Sequence, residues 1–466
     1  MPERKKKSEL KDKKLLHDAG EKDLRDQRTI RKAQAYARGY MRFLDSSKTE
    51  REAVKSAIEA LGPTAVQYES GKIYSPGTIA YIDNRGKSLL AVRFGTEPLE
   101  NGVRIAASHV DSPRLDLKPN PVYEDSGLGF FKTHYYGGIK KYQWTAIPLA
   151  CHGVAVKKDG TKVEITIGEK EGEPCFCVTD ILPHLARKIQ GERKEAEVIK
   201  GEELNILSAS FPSGDDEKDA VKLTILKYLN DRYGLTEDDL ISSELEFVPA
   251  GKSRFLGLDS SMVGGYGQDD RVCAYAALRA FLDAKDPSVT SILVLADKEE
   301  IGSYGATGLD STMLQDFVGD LARTAGTYGD IVLHNSKCFS SDVSAALDPT
   351  FSGAYELSNS AKVNYGPSVE RYTGGRGKSG SSEATSEYTA WTRNIFSKAG
   401  VHMQADDMGK VDEGGGGTVA LYIARLGVDV IDVGVPVLSM HSPFEVTGIL
   451  DGYGLYRVVK GLFEAE

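Results

Sequence analysis

Short apolar runs ended by polar or charged residues recur along this chain. Residues 292–296 (ILVLA) are continuously apolar, the pattern of a strand buried on both faces of a parallel sheet. Runs at 77–82, 88–94 and 103–107 predict strands before it, and runs at 331–333 and 428–440 predict strands after it. Elsewhere the apolar positions fall at helical spacing. Thr49 and Glu52 form a capping box, Val54, Ala57, Ile58 and Leu61 follow on one face, and Gly62-Pro63 ends the helix. Val272, Ala276, Leu278, Phe281 and Leu282 predict a second helix, and residues 418–426 a third. Strands interleaved with helices specify an α/β fold.

Between 119 and 253 the texture changes. Residues 154–158 and 163–167 alternate around Asp159-Gly160, which reads as a β-hairpin. A short helix is expected at 180–190, a polar loop at 212–219 and a strand at 244–249. The expected organisation is one discontinuous α/β domain, 1–118 and 254–466, interrupted by an inserted β-rich domain, 119–253. The length of 466 residues agrees, because single cores stop growing at roughly 250–300 residues.

Composition narrows the function classes. A net charge of −10 argues against nucleic acid as the main partner. The five cysteines are an odd number without zinc-finger spacing, which fits a reduced, cytoplasmic setting. No apolar run is long enough to span a membrane, and the lysine-rich opening is followed by no apolar signal segment. The charged stretch to about Lys32 reads as a frayed arm or a solvated helix.

The chemistry lies where the apolar runs stop. In open α/β sheets ligands bind outside the carboxyl ends of the strands. The run 292–296 leads into Asp297, Glu299 and Glu300, and the run 103–107 into His109, with Asp111 two residues on. Asp111 can accept the second imidazole N–H of His109 and fix its tautomer for metal ligation. Asp269 stands at the start of a predicted helix, Asp342 follows Ser340-Ser341, and the run 428–440 delivers His441. Each of these alone is equally a capped turn or a solvated acid. Together, two imidazoles and several carboxylates without cysteine make an oxygen and nitrogen site suited to zinc, cobalt or manganese. A glycine-rich stretch at 373–382 is not a P-loop, because Tyr372 stands where the template needs glycine. A second one at 414–417 precedes a helical run and reads as a flexible turn.

SHVDSP at 108–113, GQDD at 267–270, DKEEIGS at 297–303, SSD at 340–342 and MHSPFE at 440–445 occur in the order of a known family. The chain resembles the aspartyl aminopeptidase and vacuolar aminopeptidase I family of co-catalytic zinc exopeptidases, from about Ala33 to the C-terminus, and is closer to its bacterial branch. The resemblance implies a zinc-exopeptidase fold with a mixed, mostly parallel central sheet flanked by helices. It implies two zinc ions, one held by His109 and Asp342, one by Glu300 and His441, with Asp269 bridging. Glu299 would be the general base, and Asp111 would orient His109. Short peptides would be the substrates. The insert would build subunit contacts in a homododecamer, and His184 would reach a neighbour's active site to touch substrate.

Two stretches depart from the aspartyl enzymes. Residues 408–418 replace their Asn-Asp-x-Pro-Cys-Gly-Thr-Thr segment, and 372–382 is unlike theirs, so the preferred N-terminal residue stays open between acidic, neutral and hydrophobic. Two other functions also stay open: a dizinc amidase, deacetylase or carboxypeptidase of the same fold class, and a non-enzymatic oligomeric shell that binds cargo.

Overall fold

A computed structural model describes residues 23–214, 218–285 and 287–465, so most of the charged opening arm and part of the loop at 212–219 lie outside the described residues. Asp26 caps the first long helix, Gln27–Asp45, by accepting from the amides of Arg28 and Thr29. The next, Glu50–Leu61, carries the capping box of Thr49 and Glu52 and stops at Gly62.

The central sheet has nine strands. At its middle, Ser291–Ala296 lies between Ser88–Arg93, antiparallel, and Arg104–His109, parallel. Lys337–Ser340 and then Asp429–Gly434 extend the parallel part. The sheet is mixed and mostly parallel, as the family resemblance implies. Alternation sorts its side chains onto two buried faces. Leu293 and Leu295 point into a core shared with Ala276, Phe281, Leu455 and Val459, whereas Ile292 and Val294 face Leu314, Phe317, Val318 and Ile423.

A second, antiparallel sheet of seven strands is built from residues between Arg114 and Pro249. Arg114–Asp125 and Leu128–Tyr136 form its first hairpin, and Leu149–Val156 with Lys162–Ile167 the hairpin legible at Asp159-Gly160. The helix Ala220–Tyr233 covers it, with Ile225 and Leu229 in one cluster with Phe131 and Phe247. The short helix expected near 180–190 is Pro183–Ile189.

Two expected strands are corrected. Residues 331–333 lie within the helix Gly329–His334, where Val332 and Leu333 pack with the helix Met313–Ala325. A three-residue apolar run carries no period, and the strand comes later, at Lys337–Ser340. Residues 428–440 are not one strand but two, Asp429–Gly434 in the central sheet and Pro436–Leu438 in a third, five-stranded sheet. Gly434 lies so close to the backbone of Asp342 that a Cβ would overlap the Asp342 carbonyl. Pro436, lacking an N–H, donates no ladder bond and opens the new strand instead, as the register partner of Ser344. The two glycine-rich stretches pack together, Gly374 N–H donating to the Gly416 carbonyl at 2.7 Å.

Candidate metal centre

His109 ends the strand Arg104–His109 at the carboxyl edge of the central sheet, where Ala296 is its register partner. From there the neighbouring strand turns at Lys298, in the left-handed region, into a short 3-10 turn that carries Glu299 and Glu300. Asp342 follows the next strand, Lys337–Ser340. Asp269 arrives from the buried start of the helix Gln268–Asp283. His441 sits in the hairpin between Pro436–Leu438 and Glu445–Gly448, itself at a positive φ of 63°.

These side chains converge. Asp269 Oδ1 is 3.1 Å from His109 Nε2, and Asp269 Oδ2 is 3.1 Å from His441 Nε2. Asp342 Oδ1 lies 3.7 Å and Glu299 Oε2 3.9 Å from His109 Nε2. Glu300 Oε2 is 3.4 Å from His441 Nε2. On its other edge, His109 Nδ1 faces the Asp111 carbonyl oxygen at 3.0 Å and Asp111 Oδ1 at 3.2 Å. His184 alone stands apart. It is exposed on the helix Pro183–Ile189 and has no hydrogen bond or ion pair to the others among the described residues.

Two further acids belong to the cluster. Asp270 is fully buried and, with His109 and Asp342, offers ligand atoms that all lie within 4.8 Å of one another. Glu445 accepts from the amides of Gln268 at 2.6 Å and Asp269 at 3.1 Å through Oε2, and from the amide of His441 at 2.8 Å through Oε1. One carboxylate thereby ties the acidic helix start to the strained histidine, whose positive φ costs on the order of 1 kcal/mol. GQDD and MHSPFE contain both residues, but spacing carries no sign that they meet.

The electrostatics are those of a site built around cations. Burial and the nearby Asp342 push Glu299 up to about 8. Burial also pushes up Glu300 and Asp270, reinforced by Asp269 and Asp342 respectively. Burial opposes charge on His441, yet the hydrogen bond to Asp269 and the Glu300 carboxylate push it up to about 10. Asp270 Oδ1 and Glu300 Oε1 are buried with no hydrogen-bond partner among the described residues. Unpaired buried carboxylate oxygens are costly unless a cation takes them. Imidazole and carboxylate donors without sulfur fit zinc, and the residues present can hold it.

Comparison with known proteins agrees with this chemistry. The family profile described as Aminopeptidase I zinc metalloprotease (M18) matches residues 43–463. A probable M18 family aminopeptidase 1 of Clostridium acetobutylicum is 47% identical over 441 residues, covering 92% of this chain and 95% of that protein. The crystal structure of an M18 aminopeptidase from Thermotoga maritima superposes with a TM-score of 0.90 at 42% identity, covering 94% of this chain and 97% of the other. The S. cerevisiae mApe1 dodecamer, at 22% identity and a TM-score of 0.74 over 92% of this chain and 96% of that one, shares the fold. With the profile spanning nearly the whole chain and a relative this similar along its length, the chain belongs to the M18 aminopeptidase family of zinc metalloexopeptidases.

Proposed function

We propose that the chain removes N-terminal residues from short peptides with two zinc ions, bridged by Asp269, and with Glu299 as general base. The observation that carries this reading is the geometry of Asp269, one oxygen 3.1 Å from each imidazole. His109, Asp342 and Asp269 Oδ1 would hold one ion, and His441, Glu300 and Asp269 Oδ2 the other. Zinc bound there supplies Lewis-acid polarisation of the scissile carbonyl and lowers the pKa of a nearby water. Glu299 takes the proton of the attacking water and returns it to the leaving amine. Exposure supports the division of labour between the adjacent glutamates. The Glu300 side chain is 3% exposed and turned to His441, whereas that of Glu299 is 19% exposed beside His109. Asp111 orients His109 through Nδ1. Cobalt or manganese would substitute, since every donor is nitrogen or oxygen.

The insert, 119–253 by sequence pattern, is assigned to assembly. Its helix Pro183–Ile189 leaves Leu185 59% and Ile189 57% exposed, with Leu182 beside it at 52%, apolar surface suited to a subunit contact. A dodecamer like that of S. cerevisiae mApe1 would cover this surface and bring His184 to a neighbour's substrate. The test of the exopeptidase reading is a panel of aminoacyl-nitroanilides with free and N-acetylated amines. Hydrolysis of the free amines alone is expected. Equal or faster cleavage of the acetylated forms would make the protein a deacylase or amidase instead.

A further inference from the structure

The first hairpin of the antiparallel sheet ends against the metal centre, where Tyr136 bonds the support of His109 and Gly138, two residues on, bonds His441 itself. Tyr136, the last residue of the strand Leu128–Tyr136, is 8% exposed, and its hydroxyl donates to Asp111 Oδ2 at 2.8 Å. The Arg114 guanidinium, 4.0 Å from the ring centroid and on the register partner of Tyr136, holds the ring in place. Asp111 is thereby saturated. Its Oδ1 faces His109 Nδ1 and accepts from the Glu299 amide at 3.1 Å, while its Oδ2 accepts from the Glu300 amide at 3.2 Å and from Tyr136. Two residues on, the Gly138 carbonyl lies 2.8 Å from His441 Nδ1. A carbonyl can only accept, so Nδ1 carries a proton, and in the neutral imidazole that binds a metal Nε2 is the nitrogen left free, facing Asp269 and Glu300. The Asp111 carbonyl imposes the same tautomer on His109. Gly137, between the two contacts, has a φ of +75°, and a Cβ there would sit 3.2 Å from Glu300 Oε2 and 3.3 Å from Pro113 Cγ.

We propose that residues 136–138 are a shared brace for the two imidazoles, so that the antiparallel sheet sets zinc affinity at both subsites although it supplies no ligand. Tyr136 is a positioning residue acting through Asp111, and Gly138 acts directly through its carbonyl. The proposal rests on the reading of His109 and His441 as metal ligands. Partners of this kind, when removed from a ligating histidine, cost roughly 10–100-fold in metal affinity. The test is a zinc titration of the full chain against a chelating dye, with the cobalt-substituted absorption spectrum and the thermal midpoint alongside. Tyr136→Phe, which removes only the hydroxyl, is expected to weaken the His109 step about tenfold and to alter the cobalt spectrum at an unchanged thermal midpoint. Gly137→Ala is expected to weaken the His441 step by displacing the carbonyl. Gly137→Asn, more tolerant of positive φ, takes its place if the alanine chain does not fold. Wild-type affinity at both steps in either variant overturns the shared brace. His109→Ala and His441→Ala separate this from failure of the underlying reading: if neither loses an ion, the histidines are not ligands at all.

Discussion

Asp269 and the two glutamates after the central strand carry the residue-scale argument. Asp269 is held well below the usual carboxylate range, against its burial, by the His109 and His441 imidazoles 3.1 Å from its two oxygens, so it stands as a carboxylate between them. Glu299 and Glu300 are neighbours in one 3-10 turn, yet their environments differ, one open beside His109 and one sealed beside His441. Sequence spacing cannot separate a base from a ligand in such a pair, because both residue types and both positions are equivalent until the turn is built. Glu299→Gln should keep both metals and lower turnover at least ~10²-fold, the usual weight of a general base. Glu300→Gln should lose metal. Zinc content and kcat of the two purified variants, read side by side, check this, and metal loss on changing Glu299 with retention on changing Glu300 would reverse the assignment.

At the scale of elements, a buried ion cluster fastens the helix Glu50–Leu61 to the antiparallel sheet. Glu50 Oε2 lies 3.1 Å from Arg114 Nη1, and its Oε1 lies 2.9 Å from Lys87 Nζ. Burial would raise the Glu50 carboxyl, but Arg114 and Lys87 hold it well below its ordinary value of 4.5. A depressed carboxylate stabilises the fold above its unfolded pKa, and the contribution is lost as pH falls below it. Glu50→Gln should therefore destabilise by about 3 kcal/mol at pH 7, the cost of stranding one side of a buried pair. The difference from wild type should shrink as pH drops below 4.5, measured by chemical unfolding at pH 7 and pH 3. Elements with a strong local signature were legible in the sequence: the capping box at Thr49, the doubly buried strand Ser291–Ala296 and the hairpin at Asp159-Gly160. Elements decided by distant contacts were not. Residues 331–333 became a helix because Val332 and Leu333 had a helix to pack on, and the run before His441 broke where Gly434 meets Asp342. Tyr136, Asp270 and Glu445 escaped the sequence reading for the same reason, since their partners lie up to 177 residues away.

For the whole molecule, the chain leaves the central sheet at His109, builds seven antiparallel strands and returns with Asp269, so the site closes only when both crossings are in place. Assembly is the remaining expectation for the intervening stretch. Light scattering should find a large closed particle, and mixing Glu299→Gln with His184→Ala subunits under exchange should restore activity. A fully active monomer would remove the shared site. The central claim is that the separated segments meet in one centre for two zinc ions on which hydrolysis depends. Its most direct test is metal analysis of the purified protein, joined to turnover during chelation and stepwise return of zinc. The account predicts two ions per chain, turnover abolished on their removal and restored as the second ion returns. Saturation at one ion, or full turnover by the metal-free protein, would contradict it.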